Sequence, residues 1–120
     1  MLKAHFTHGK IDIPLRLSLR KLLYRIEVIV DIPHLVTVEF IQASSLTGDD
    51  GTLRYGHFLL HNSEPLIQVA TLQPWSGLVD TIIHEITHYE QYRDGKDWSS
   101  ERGRKVRIRS ILKKLGSLYQ

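Results

Sequence analysis

Hydrophobic and polar positions follow two different periods along this chain, and the period indicates which segments are helices and which are strands. The opening segment, residues 11–30, fits both periods, because its apolar residues alternate and also recur at helical spacing. Pro14 suits the first turn of a helix, and the residues after it are mainly Leu, Arg and Lys, which favour helices. We therefore predict a helix over about 14–29.

The next part of the chain has the composition of strands. Residues 34–43 are rich in β-branched and aromatic residues, and 53–61 and 66–72 are also predicted as strands. Between them, 47–52 (TGDDGT) and 62–65 (NSEP) hold the Gly, Asp, Asn and Pro residues that tight turns require. Short turns join antiparallel neighbours, so we predict a meander of three strands. The fold class is then α+β, with an antiparallel or mixed sheet of three or slightly more strands.

After residues 73–77 (QPWSG) the apolar positions take up the helical period. Four of them form one stripe: Val79, Ile82, Ile86 and Tyr89. At about 100° per residue, His84, His88 and Gln91 fall on the opposite side of the same helix. The helix is predicted to end at a turn over 94–97 (DGKD).

A last helix is predicted beyond that turn. Ser99 is a good N-cap, and the helical pattern continues to about Leu115. The predicted order is therefore one helix, three strands, the helix that carries the two histidines, and a C-terminal helix.

Length and composition indicate one globular domain over residues 1–120, with 42% hydrophobic residues. No stretch approaches the roughly 20 apolar residues that span a bilayer, and the first residues lack the apolar run of a signal peptide. We therefore expect a cytoplasmic protein that has no membrane partner. The chain has no cysteine, which excludes disulfides and thiolate metal sites, so a metal would be bound by His, Asp or Glu.

Residues 84–88 read HEITH, which matches the pattern H-E-x-x-H. His84 and His88 are one helical turn apart, with Cβ atoms about 5–6 Å from each other, so both imidazoles can reach one Zn²⁺ ion. Glu85 is rotated away by about 100° and can take a proton from a water molecule whose pKa the zinc lowers toward 7. The motif predicts one zinc ion per chain and a nucleophilic water at neutral pH. A surface pair of histidines is the competing interpretation.

A catalytic zinc ion has three protein ligands, so a third is needed. Asp94 follows His88 by six residues, as in the longer HExxHxxGxx(H/D) signature, but Gln91 stands where that signature needs glycine to turn the chain. Glu101 is placed better, because the chain can reverse after residue 95 and present it from the first turn of the last helix, where the helix dipole favours a carboxylate. We predict Glu101 as the third ligand, with Asp94 as the alternative.

The segment DTIIHEITHYEQYRDGK followed by SSERGRKV resembles the zincin metallopeptidases, within about residues 53–115. The likeness is to small gluzincins of bacteria and phages, whose architecture is shared with ImmA/IrrE-type and SprT-like proteins. SprT-like proteins use a third His, and no His follows His88 here. The resemblance implies a zinc-dependent endopeptidase in which His84, His88 and Glu101 bind the metal and Glu85 is the general base. A strand within 53–72 would pair with an extended peptide or protein substrate.

Other polar residues are less informative about function. An oxyanion-stabilising group is needed in such a peptidase, and four residues could supply it without being marked by spacing: Tyr55, His57, Tyr92 and Tyr119.

Charge is unevenly distributed along the chain. Residues 1–101 hold nine Lys/Arg and thirteen Asp/Glu, whereas 102–120 hold seven Lys/Arg and no acid. A basic segment on a mildly acidic body attracts polyanions, so nucleic acid binding through a helix over 102–114 is an alternative function. These cations spread around the helix axis, and a solvated basic face is the competing interpretation. A third alternative is a zinc-binding regulatory or toxin scaffold without peptidase activity.

Overall fold

The computed structural model describes residues 1–7, 10–95 and 101–118, with the side chains of 101, 102, 117 and 118 outside this part. The described residues form an α+β fold with three helices and a mixed sheet. In chain order the elements are β1 (Leu2–Thr7), α1 (Ile13–Ile29), β2 (Val36–Ile41), β3 (Leu46–Thr47), β4 (Leu53–Arg54), β5 (Gly56–His61), β6 (Glu64–Ala70), α2 (Trp75–Asp94) and α3 (Glu101–Leu118).

The main sheet has four strands in the order β1-β2-β6-β5. Strand β2 pairs in parallel with both β1 and β6, and only the β5–β6 pair is antiparallel. The predicted meander is therefore wrong, and the mixed sheet is the form that the chain adopts. Strand β1 was not predicted.

Turn chemistry explains where the strand prediction succeeded and where it failed. Asn62 and Ser63 have positive φ angles of 51° and 66°, as a tight hairpin turn requires, and they join β5 to β6. The turn within 47–52 joins only the two-residue strands β3 and β4, which form a separate small hairpin. Strand β2 is thereby free to pair with β6, which is distant in sequence.

The core lies between the sheet and the helices. Alternate residues of β2 (Val36, Val38 and Phe40) are fully buried, and they belong to one cluster with residues of all three helices. The predicted helix over about 14–29 is confirmed as α1, which buries Leu19, Leu22, Leu23 and Ile26. No helix within the described residues has the length and apolar character needed to cross a membrane.

Helix α2 also follows its predicted stripe. Ile82, Ile86 and Tyr89 are completely buried, and Val79 is partly buried against the core. Gly95 ends the helix in the left-handed conformation (φ 61°), as expected for a C-terminal cap. The turn residues 96 and 97 and the predicted N-cap Ser99 lie outside the described residues, and α3 continues to Leu118, beyond its predicted end.

Candidate metal centre

His84 and His88 meet on one side of α2. Their Nε2 atoms are 3.1 Å apart, and their ring centroids are 4.7 Å apart. Residues four positions apart point the same way from a helix, so the two rings lie side by side. The apolar stripe of α2 packs in the core, which leaves the side with the histidines facing away from it. The structure therefore brings together the two histidines that the sequence predicted as a pair.

Glu85 lies beside this pair and is buried, with 5% of its surface exposed. One ligand atom from each of His84, Glu85 and His88 falls within 4.8 Å of the others. Burial raises the pKa of the Glu85 carboxyl to about 7, against a smaller opposing effect of the Arg54 charge. This group of three side chains could hold a metal ion.

Gln91 sets the orientation of the His88 ring. The Nδ1 atom of His88 is 3.1 Å from Oε1 of Gln91, one turn further along α2. The amide oxygen only accepts hydrogen bonds, so Nδ1 carries the proton and Nε2 keeps its lone pair toward His84. A hydrogen bond of this kind fixes the tautomer that binds a metal.

The surroundings favour neutral imidazoles. Burial lowers the pKa of His84, and the positive charges of His88 and Arg104 lower it further. Burial also lowers the pKa of His88, although the Gln91 hydrogen bond opposes this effect. A neutral histidine is the form that binds a metal ion, so both rings are held ready for one.

The histidines open into a pocket of about 650 Å³. Residues 54–58, from the end of β4 into β5, form one wall, and α2 and Arg104 of α3 form the others. Strand β5 is an edge of the four-stranded sheet, and it lies next to α2. The pocket is thus bordered by an edge strand, to which an extended chain can be added.

Gly56 permits the close approach of β5 to α2. A Cβ atom at this position would lie 2.7 Å from Cγ2 of Thr81, 3.1 Å from Cγ of Glu85 and 3.2 Å from the Gln68 carbonyl oxygen. A side chain here would therefore displace the helix that carries the site. Glycine inside a strand often marks such a close approach, and this signal was available in the sequence.

The two candidates for a third ligand have different positions. Asp94 is turned toward Arg93, whose Nε and Nη2 atoms donate to its two carboxylate oxygens at 2.7 and 2.9 Å. The side chain of Glu101 lies outside the described residues, so the prediction that it binds metal stays a prediction. Its backbone begins α3, and Arg104 of the next turn lines the pocket beside the histidines.

Of the suggested oxyanion-stabilising residues, Tyr55 and His57 line the pocket. Tyr92 instead packs in an aromatic cluster with His34, Phe58 and Tyr89. Tyr119 lies outside the described residues.

Some basic residues of α3 contact α2 or the pocket, and others are exposed to solvent. Arg107 donates to Glu90 of α2, and Arg104 lines the pocket, whereas Lys105, Arg109, Lys113 and Lys114 are exposed. The sequence did not indicate this division, although helical spacing had placed Gln91 on the side of the histidines. The only signal in the sequence for Arg104 and Arg107 was their spacing of three residues, because residues three apart lie on one side of a helix.

The chain matches no family model, and no curated protein or solved structure matches it. A function is therefore inferred from the residues that meet at this pocket.

Proposed function

We propose that this protein is a zinc-dependent metallopeptidase of the zincin type, which hydrolyses peptide bonds with Glu85 as general base. The observation that carries the proposal is the convergence of His84, Glu85 and His88 within 4.8 Å on the wall of a pocket beside an edge strand.

The donor atoms fit zinc. Two nitrogen ligands at about 2.0–2.1 Å from a tetrahedral ion are separated by roughly 3.3 Å, and the two Nε2 atoms are 3.1 Å apart. Imidazole and carboxylate are both zinc ligands, and the chain has no thiolate to offer. In the metal-free protein a proton on Nε2 of His84 can bridge the two rings. With a metal bound, this proton would be carried by Nδ1 of His84 instead, which leaves both Nε2 atoms free as ligands.

The chain's own groups supply the proton transfers. Bound zinc would supply Lewis acidity, which polarises the scissile carbonyl and makes a water molecule more acidic. Glu85 is placed to accept a proton from the attacking water and to return it to the leaving amine. In the metal-free protein burial raises its pKa to about 7, and the positive charge of a bound zinc ion would favour the carboxylate form that a general base needs.

Substrate binding is attributed to β5. In the described part of the chain β5 pairs with β6 on one side only, so its other edge offers backbone groups to an extended peptide. The scissile bond would then lie between β5 and the histidines of α2.

We propose Glu101 as the third ligand. It occupies the first position of α3, and positions 101 and 104 lie on the same side of a helix. Arg104 lines the pocket that contains the histidines, which supports a position for Glu101 near them.

Metal analysis and a cleavage assay test the proposal together. The purified protein should contain one zinc ion per chain and should cut casein or a peptide library, and EDTA should abolish cleavage. The Glu85→Gln variant should retain zinc and lose activity by a factor of at least about 100, as expected when a general base is removed. Protein that binds no zinc, or a Glu85→Gln variant that cuts as well as the wild type, would disprove it.

Nucleic acid binding is a second candidate, favoured by the exposed cations of α3. Lys105, Arg109 and Lys113 recur every fourth residue, which places them along one side of the helix. If they contact phosphates, binding of duplex DNA in a gel-shift titration should weaken steeply between about 50 and 200 mM salt. A complete absence of binding at low salt would remove this candidate.

A further inference from the structure

Arg104, which lines the pocket, has an unused hydrogen-bond donor. Its Nε atom is buried and has no hydrogen-bond partner in the described part of the chain. Arg104 lines the same pocket as His84, Glu85 and His88. A buried N–H that has lost water and gained no partner costs free energy, so this arrangement favours a ligand that accepts the bond.

Neighbouring arginines, unlike Arg104, have acceptors within the protein for their Nε hydrogens. Arg107, one turn further along α3, donates to both carboxylate oxygens of Glu90. Arg93 is bound to Asp94 in the same two-pronged manner. Arg54, the other arginine of the pocket, is 3.3 Å from Asp50 and donates its Nε hydrogen to Thr52. Each of these three has its Nε satisfied from within the protein, in contrast to Arg104.

The missing partner has a defined chemistry. A guanidinium presents N–H groups in a planar fork that matches the two oxygens of a carboxylate, as the Arg107–Glu90 pair of the same helix illustrates. Arg104 and residues 54–58 line the same pocket, so a group bound to Arg104 would lie close to a peptide extended along β5.

We propose that Arg104 is a specificity-determining residue that binds a carboxylate of the peptide substrate close to the scissile bond. This inference rests on the proposed peptidase function and adds the substrate class. The carboxylate has two possible sources, an Asp or Glu side chain beside the scissile bond or a free C-terminus. In the first case the enzyme is an endopeptidase selective for acidic sites, and in the second it removes residues from a chain end.

Three synthetic peptides distinguish these sources. They share one extended sequence rich in Val and Thr, chosen to pair with a strand and independent of any observed cleavage. They carry Glu at the centre with an amidated C-terminus, Gln at the centre with an amidated C-terminus, or Gln as the last residue with a free C-terminus. Binding is measured by calorimetry on the zinc-loaded Glu85→Gln protein, and cleavage is measured on the wild type. Binding can therefore be read even if no peptide is cut.

We expect one of the two carboxylate peptides to bind at least ten times more tightly than the amidated Gln peptide. Arg104→Met should reduce this ratio to less than two, because it weakens binding of the carboxylate peptide far more than binding of the amidated Gln peptide. Arg104→Lys should keep only part of the ratio, because lysine retains the charge and lacks the fork. Arg109→Met, which removes an exposed arginine of the same helix, should retain the full ratio. Arg104→Met should also melt no lower than the wild type, because it removes an unpaired buried donor.

The outcomes separate this inference from the proposed function. If the carboxylate peptides bind no better than the neutral one, or if Arg104→Met weakens all three equally, the inference is wrong, whether or not the peptides are cut. If the preference exists and depends on Arg104 while no peptide is cut, the inference stands and the peptidase function fails.

Discussion

Arg107 donates hydrogen bonds to both carboxylate oxygens of Glu90, with Nε 2.8 Å from Oε1 and Nη2 2.7 Å from Oε2. Glu90 is 4% exposed and follows His88 by two residues on α2, whereas Arg107 lies on α3. The pair joins the helix that carries the histidines to the helix that begins at Glu101. Any metal site that uses both helices depends on the alignment that this pair fixes.

The first prediction removes this link. Arg107→Met leaves the buried Glu90 carboxylate with Arg93, at 3.6 Å, as its remaining cation among the described residues, and should lower the free energy of unfolding by about 2–3 kcal/mol. This is less than for a fully buried pair, because the Arg107 side chain is 25% exposed. Urea unfolding measures the loss. The double variant Glu90→Leu/Arg107→Met should recover most of it, since an apolar pair leaves no buried charge unpaired, and equal losses in both variants would contradict this explanation.

A second prediction concerns the pH dependence of stability in the metal-free protein. The pKa of Glu85 rises from 4.5 to about 7 on folding, so between these values the folded chain holds a proton that the unfolded chain has lost. Stability contributed by this group is therefore lost as pH rises through the window, by up to about 3 kcal/mol. In EDTA, Glu85→Gln should match the wild type near pH 4 and be more stable at pH 8. Equal urea midpoints of the two proteins at pH 8 would contradict this.

The third prediction concerns the packing of β5 against α2. Gly56→Ala places a methyl group 2.7 Å from Cγ2 of Thr81 and 3.1 Å from Cγ of Glu85, and should cost about 1–3 kcal/mol of stability. Gly116→Ala is the control, because a Cβ at this helical position has no neighbour within 4 Å and should stabilise by about 0.5–1 kcal/mol. Adding Thr81→Ser to Gly56→Ala removes the closest clashing atom and should restore part of the thermal stability. If this second substitution restores nothing, another contact determines the cost.

The fourth prediction concerns the ring orientation of His88. Gln91→Leu removes the acceptor of the Nδ1 hydrogen and should weaken zinc binding by about 10- to 100-fold, with little change in the stability of the metal-free protein. Gln91→Glu is the matched control, because a carboxylate also accepts this hydrogen bond and should keep the affinity high. Competition with a chromophoric chelator measures both. If the Leu variant binds zinc as tightly as the wild type, Gln91 does not hold the ring.

The parts of this fold that the sequence predicted are those whose signals are local. Helix α2 was predicted because its apolar residues repeat at helical spacing, and the same spacing placed His84 and His88 on one side. The β5–β6 hairpin followed from the turn residues at 62–65.

Strand pairing and the lining of the pocket needed contacts between distant residues. The parallel pairing of β2 with β6 joins Thr37 to Leu66 across nearly thirty positions, and no local pattern states which strands will be neighbours. Arg104 and Arg107 are both arginines of one basic segment, yet Arg104 lines the pocket and Arg107 binds Glu90. Their roles follow from the way α3 packs on α2, which is a property of the folded chain.

The last prediction concerns the third ligand, Glu101. A metal that binds only the folded state stabilises it by RT ln(1 + [L]/Kd), which is about 4 kcal/mol at a free concentration of 1,000 times Kd. For a small domain with a total stability of about 5–15 kcal/mol, this is a large share.

Wild-type protein with zinc should therefore melt well above the same protein in EDTA. Glu101→Ala should lose most of this difference, while its melting temperature in EDTA should stay near that of the wild type, because the proposed role of Glu101 is exerted only through the metal. Asp94→Ala is the matched control: its carboxylate is bound to Arg93, so this variant should keep the zinc-dependent rise and lose at most about 1 kcal/mol. The reverse pattern, with zinc stabilisation lost in Asp94→Ala and kept in Glu101→Ala, would assign the third ligand to the end of α2 and exclude a gluzincin site.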